Sequence, residues 1–223
     1  MKMTALKTAI LSAVVAGSSM MAIAPATAQA GVSANAGMVS NYVFRGVEQT
    51  ESASASAGLD YEHESGFYIG TWAADVEAGL EYDLYAGWSG NLGPISAGVG
   101  VTGYYYTDDA FDDTYQEVNF SLGYDMITVG YDRGTYDNYG NGDIDYDHMY
   151  VSLGYGDFSG TYGILDGDVD TDDTDVKYLD LGYSFSLAEG LDGGVNYIYS
   201  DTDGNPEEDQ FVVLSISKSF DLM

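Results

Sequence analysis

The chain has 223 residues with no Cys, 3 Pro, 29 Gly and 21 Tyr, and 36 acidic against 6 basic side chains give a formal charge of −30. That charge repels nucleic-acid backbones, which draw in basic proteins through counterion release, and the lack of Cys excludes a disulfide scaffold or thiolate metal site. A hydrophobic content of 45% with 14% aromatics excludes an acidic disordered chain, a class poor in aromatics, and the length suits one domain.

The first thirty residues read as an address. Lys2 and Lys7 are their only charges, Ile10 to Ala24 is apolar, Pro25 breaks any helix, and Ala28-Gln29-Ala30 has the small-x-small form of a cleavage site. This is the anatomy of a secretory signal peptide over 1–30, leaving 31–223 as the exported domain. Ala26-Thr27-Ala28 is an alternative cleavage point. An uncleaved anchor is the competing reading, but the apolar core falls short of the ~20 residues a helical span needs. No later segment has 18 apolar residues in a row, so any membrane role falls to strands.

From Val32 onward the apolar residues recur at every second position. Ala53, Ala55, Ala57, Leu59 and Tyr61 share one parity, and Ser52, Ser54, Ser56, Gly58, Asp60 and Glu62 share the other. Leu80, Tyr82, Leu84, Ala86 and Trp88 alternate with Glu81, Asp83, Tyr85, Gly87 and Ser89. Val118, Phe120, Leu122 and Tyr124 oppose Glu117, Asn119, Ser121 and Gly123. Successive strand side chains point to opposite faces, so these are strands with two unlike faces. Runs bounded by turn signals predict about twelve strands, near 33–45, 52–62, 66–74, 78–88, 94–106, 115–125, 126–134, 146–155, 157–165, 176–187, 191–200 and 211–220. Their length of roughly 9–13 residues matches tilted membrane strands rather than the 5–6 typical of soluble sheets.

The connections alternate in kind. Tight turns are predicted at His63-Glu64-Ser65, Gly90 to Gly93, Asp125-Met126, Gly156 and Ala188-Glu189-Gly190. Longer, acidic ones run Thr107 to Thr114, Thr135 to Asp145, Asp166 to Asp175 and Asp201 to Gln210. Short periplasmic turns, longer outside loops and an even strand count describe an up-and-down barrel in an outer membrane. The predicted fold is therefore an all-β transmembrane antiparallel barrel. A soluble sandwich also alternates, but strand length and alternating connections weigh against it. Tyr42, Tyr61, Trp88, Tyr105, Tyr124, Tyr155 and Tyr199 are expected in the aromatic girdles where rings meet headgroups. Gly is expected on the face that must leave room, and in turns. Val212, Leu214, Ile216 and Phe220 close the chain on one parity, a final aromatic strand of the kind that barrel assembly machinery reads. Lys218 breaks that parity and Asp221-Leu222-Met223 extends past the aromatic.

Ser40 to Thr50 (SNYVFRGVEQT), Leu59 to Trp72 (LDYEHESGFYIGTW) and Glu81 to Trp88 (EYDLYAGW) resemble the opening blocks of the TorF family. That family is a proteobacterial group of unknown function regarded as porins. The spaced Tyr-Gly strands and the closing SKSF also fit, so the resemblance spans essentially the whole chain after residue 30. Glu48 departs from the family's Ser, and the Ser52 to Ser56 repeat is unusual. The resemblance implies an outer-membrane barrel and a pore, with lipid and lipopolysaccharide around it. It supplies no catalytic or binding residues.

If the apolar parity meets lipid, the other parity lines the lumen. The expected pore-lining residues are Arg45, Asp60, Glu62, Glu81, Asp83, Glu117, Asp132, His148 and Asp180. Rings of acidic side chains favour cations. The expected function is a passive channel for small solutes that prefers cations. The alternative is a non-conducting structural or adhesive barrel with acidic loops that bind divalent cations. Arg45 has two readings: a salt bridge to a lumen acid such as Asp60 or Glu81, or a rim charge in water. Arg133 shares parity with Val129 and Tyr131, so its expected role is to snorkel towards the outer headgroups. Asp166, Asp168, Asp170 and Asp172 are weak Ca²⁺ candidates, because the loop lacks Gly and Glu at the EF-hand positions. Catalysis has no motif to rest on, with only His63 and His148 as bases, and no cofactor is implied.

Overall fold

The computed structural model describes residues 30–107, 114–137, 142–167, 175–203 and 208–222. In chain order the strands are β1 (Gly31–Val39), β2 (Val43–Phe44), β3 (Val47–Glu48), β4 (Ser54–Glu62), β5 (Phe67–Asp75), β6 (Leu80–Leu92) and β7 (Ile95–Tyr106). They continue as β8 (Tyr115–Tyr124), β9 (Ile127–Tyr136), β10 (Ile144–Tyr155), β11 (Phe158–Gly167), β12 (Val176–Ala188), β13 (Leu191–Thr202) and β14 (Asp209–Asp221). All but β2 and β3 belong to one closed barrel of twelve antiparallel strands, in which β1 pairs with β4 on one side and β14 on the other. Closure removes every sheet edge. The amide of Leu222 extends the seam by donating to the carbonyl of Val32 at 2.8 Å.

The two ends of the barrel differ. At one end, here the turn end, pairs such as Leu92↔Ile95, Tyr124↔Ile127 and Tyr155↔Phe158 leave two residues to reverse the chain. Positive φ at Gly93, Asp125 and Gly156 supplies the backbone that such tight hairpins require. Both β1 and β14 reach this end with their outer termini. The longer connections lie at the opposite, loop end. The expected Gly90 to Gly93 turn is shorter than the sequence implied, since β6 runs on to Leu92 and only Gly93 and Pro94 turn.

The apolar parity faces outward, as Leu59, Ile69, Leu84, Val101, Phe120, Leu153 and Leu214 show by their exposure. Of the residues expected in the aromatic girdles, Tyr61, Tyr124 and Tyr155 are exposed on the outer face. The expectation fails for Tyr42, which is 4% exposed and lies inside the barrel.

Interior tyrosines explain much of the Gly and Tyr content. On the inner wall Tyr150 faces Gly130, Tyr146 faces Gly134, Tyr178 faces Gly163 and Tyr85 faces Gly70 on neighbouring strands. Each ring lies across the glycine opposite, shielding its backbone as aromatic residues do in other sheets. A Cβ on Gly134 would come within 2.0 Å of the Tyr146 ring. That ring cannot simply swing away, because its hydroxyl donates to Glu117 at 2.9 Å. We expect Gly134→Ala to lower the midpoint of the heat-induced gel-mobility shift, with an overpacking cost of about 1–3 kcal/mol. Gly154→Ala, where a Cβ meets nothing within 4 Å, should leave the midpoint unchanged.

The predicted first strand, 33–45, is too long. β1 stops at Val39, and residues 40–53 turn into the lumen instead of continuing the wall. Within them β2 and β3 form a miniature hairpin, with Val43↔Glu48 and Phe44↔Val47 paired around Arg45 and Gly46. Both turn residues have positive φ, 50° at Arg45 and 86° at Gly46, the pairing of signs found in type I′ turns. The Tyr42 carbonyl accepts from the amide of Gln49 at 2.7 Å, and the Tyr42 amide donates to the Thr50 hydroxyl at 2.9 Å. The apolar run Tyr42-Val43-Phe44 that extended the predicted strand belongs to this hairpin.

The hairpin gives the barrel a core at its loop end. Val43 is fully buried and packs with Val39, Ala74, Val76, Ile198 and Val213, flanked by Phe44, Trp72, Tyr106 and Phe211. Val47 packs against a second cluster of Tyr146, Leu165 and Val176. Towards the turn end the inner parity changes to small polar residues, such as Ser33, Ser152, Ser184 and Ser217.

Candidate functional site

The interior chemistry is organised by the hairpin tip. Arg45 is 4% exposed and reaches across the lumen to β8 and β9. Its Nη1 donates to Glu117 Oε1 at 2.5 Å, and its Nη2 donates to Glu117 Oε2 at 3.0 Å and Asp132 Oδ2 at 3.1 Å. This is the forked guanidinium–carboxylate geometry that Lys cannot supply. Burial works against the Arg45 charge, but Glu117 and then Asp132 hold its pKa above the ordinary value, so it stays cationic. Its guanidinium also lies 4.8 Å from the centre of the Phe44 ring.

The wall completes the network. Glu117 accepts from Tyr104 Oη at 3.1 Å, Tyr146 Oη at 2.9 Å and Asn119 Nδ2 at 3.0 Å. Asn119 also donates to Asp132 Oδ1 at 3.0 Å. His148 Nδ1 lies 2.8 Å from Asp132 Oδ2, and its Nε2 lies 3.0 Å from the Tyr178 hydroxyl. An ionised carboxylate only accepts, so the Nδ1–H donates to Asp132, while Nε2 is within hydrogen-bond distance of the Tyr178 hydroxyl. Strand alternation places these side chains on one face because Glu117, Asp132 and His148 all share the inward parity.

The expected lumen residues therefore fall into separate groups. Arg45, Glu117, Asp132 and His148 form one network. Glu81 and Asp83, at 3% and 7% exposure, sit two residues apart on β6. Glu81 accepts from Tyr42 Oη at 2.8 Å, whereas Asp83 Oδ1 is buried with no hydrogen-bond partner. Asp180 is buried and accepts from Asn196 Nδ2 at 2.7 Å. Asp60 is half-buried and held by Tyr85 Oη and, at 3.4 Å, Asn35 Nδ2. Glu62 is exposed at the turn end.

Two expectations about Arg45 are corrected. It pairs with Glu117 and Asp132 rather than Asp60 or Glu81, and it is no rim charge. Both corrections follow from residues 40–53 folding inward, which carries the side chain to the far wall. Tyr104, Asn119, Tyr146 and Tyr178 take part without having been singled out as site residues. The signal for them was the Arg45-Gly46 pair, a tight-turn dipeptide inside a run that otherwise reads as strand.

Outside the barrel, Arg133 is 45% exposed at its side chain and pairs with Asp145 and Asp147, each at 2.6 Å. Among the described residues no group of three or more His, Asp or Glu side chains is placed to hold a metal ion. Asp166 is described, near the end of β11, while Asp168, Asp170 and Asp172 lie outside the described residues. His63 Nδ1 lies 2.7 Å from Ser65 Oγ in the β4–β5 turn and accepts from the Ser65 amide at 3.2 Å, a contact that closes the turn.

Comparison with known proteins adds a family. Residues 23–220 match Gcw_chp, a family of bacterial proteins of unknown function. The chain belongs to that family. No curated protein matches it. Among solved structures, the Gcw_chp barrel is similar to the KdgM porin, with a TM-score of 0.52 and 8% identity over 86% of this chain and 99% of that one. It also aligns with OccK1 (OpdK) of Pseudomonas aeruginosa, at a TM-score of 0.45 and 16% identity over 78% of this chain. A BenF-like porin from Pseudomonas fluorescens Pf-5 aligns at a TM-score of 0.45 and 15% identity over the same share. The Gcw_chp chain spans 58% and 57% of the length of those two proteins. At such identities the KdgM likeness shows a shared barrel fold.

Proposed function

We propose that this Gcw_chp barrel is a porin-like channel of the bacterial outer membrane, passive and preferring cations. The observation that carries the reading is the two-faced closed barrel, with large apolar side chains exposed outside and acids inside. Such an outer face suits lipid, and acidic walls favour cations over anions. Among the described residues the interior acids are opposed by one buried Arg, Arg45. Residues 1–30 act in this reading as the export signal, the turn end faces the periplasm, and the loops face lipopolysaccharide. Assembly by the barrel machinery and the TorF resemblance agree with it. Asp60, Glu62, Glu81, Asp83 and Asp180 line the path, and Arg45, Glu117, Asp132 and His148 hold its narrow part. No residue is assigned a catalytic role.

One observation favours a second reading. The hairpin fills the loop end with side chains of very low exposure, as a non-conducting surface barrel would. Planar-bilayer recording of the purified protein separates the two. Discrete conductance steps, with a reversal potential across a KCl gradient on the K⁺ side, are expected. A silent bilayer would sink the channel, and a Cl⁻-side reversal would sink the cation preference.

A further inference from the structure

We infer that Asp83 is a monovalent-cation site inside the lumen, at the upper step of a carboxylate track descending from the hairpin to the turn-end mouth. The inference deepens the channel reading, in which this ion is the permeating species.

The interior carboxylates are not equivalent. Glu117 and Asp132 share the single charge of Arg45, and Asp180, Glu81 and Asp60 accept from Asn196, Tyr42 and Tyr85. Asp83 differs: it is 7% exposed and its Oδ1 is buried with no partner. Held ionised, a buried carboxylate without a partner is among the costliest arrangements a protein can hold, so the group either takes up a proton or gains a cation. The cost is removed when a cation supplies the missing contact. Arg45 does not supply it: its Nη atoms go to Glu117 and Asp132, and its Nε, also buried without a partner, makes no ion pair with Asp83.

The surroundings show where such an ion comes from. Glu81, Asp83 and Tyr85 follow one another at alternate positions of β6, on one face and roughly 7 Å apart. Tyr85 sits opposite Gly70, which pairs on its other side with Asp60, and Tyr85 Oη donates to that Asp60. Two positions further along β4, Glu62 stands exposed at the mouth. The sequence from solvent inward is therefore Glu62, Asp60, Asp83 and Glu81, all acids on one wall. Trp72 and Tyr104 flank Asp83 on the neighbouring strands, and such low-dielectric sides strengthen attraction to its charge. No three-carboxylate cage is present among the described residues. A Ca²⁺-type ion, which takes several protein oxygens, does not match that arrangement.

A ligand that binds only the folded barrel raises its melting point. Full-length mature protein in detergent is melted at constant ionic strength while N-methylglucamine, too bulky for the track, is replaced by K⁺. The expected result is a saturable rise in midpoint, abolished in Asp83→Asn and in Asp83→Ser, and kept in Gly154→Ala, where an added Cβ meets nothing within 4 Å. In bilayers the conductance should saturate with K⁺, and Asp83→Asn should raise the half-saturating concentration about tenfold or more. No K⁺-specific rise in the wild type overturns the site even if the channel conducts. A rise that survives both Asp83 variants overturns it as well. A K⁺-specific, Asp83-dependent rise in a protein that never conducts supports the site and rejects the channel, so the two failures are distinct. If neither variant assembles, the wild-type comparison decides.

Discussion

Excision of residues 41–52, with Ser40 joined to Ala53 through a short turn, should increase single-channel conductance several-fold and leave the barrel assembled. Val39 already pairs with Ser54 across β1 and β4, so a short turn can close the gap without moving either strand. The twelve strand ladders do not use the hairpin. What is lost is the apolar burial of Val43 and the packing of Phe44 and Val47, about 1.5–3 kcal/mol for each fully buried side chain. What is gained is water around Glu81, Glu117 and Asp132, whose desolvation the hairpin now imposes. These terms oppose each other, so stability should change less than conductance. A barrel of eight strands is filled by its own side chains and one of sixteen is an open channel. Twelve lies between, and here the hairpin decides the bore. Conductance steps in a planar bilayer measure it, and the heat-dependent gel shift confirms assembly. Unchanged steps would show that the hairpin is not the constriction.

The hairpin also marks where the sequence stops being readable. Period two assigns Glu81, Asp83, Glu117, Asp132, His148 and Asp180 to the parity that the structure buries, because a strand has two faces and one of them must meet lipid or core. It likewise yields twelve strands, since the turns that separate them are written in Gly, Asn and Asp. Period two says nothing about what a side chain meets across the lumen. Arg45 to Glu117 spans 72 positions and depends on the chain leaving the wall at Ser40, where the apolar run Tyr42-Val43-Phe44 reads like more strand. The pairing of Tyr146 with Gly134 and of Tyr150 with Gly130 depends on cross-strand register. A shift of one residue would have turned those rings outward. Asp60 and Glu62 share the inward parity yet remain more open than Asp83, since towards the turn end the wall is built of Ser and Gly.

Arg45→Met should destabilise the protein strongly and free the hairpin, because it leaves Glu117 and Asp132 buried without their cation. Breaking a buried pair in this way costs about 3–5 kcal/mol. The expected signs are a lower midpoint for the gel shift, new protease cleavage within 40–53 and larger, noisier conductance. Arg45→Lys should recover only part, since one ammonium cannot bridge both oxygens of Glu117 and Asp132 together. The informative measurement is the cycle with Glu117→Gln. If the Nη contacts hold the hairpin, the double variant Arg45→Met/Glu117→Gln should be less unstable than the two single losses summed, with a coupling of about 1–3 kcal/mol. Part of the penalty will persist, because Asp132 still faces the gap and keeps only Asn119 and His148 as donors. A coupling near zero would mean that Arg45 acts through its bulk and its contact with Phe44, and that the apolar face of the hairpin, led by Val43, holds the constriction in place.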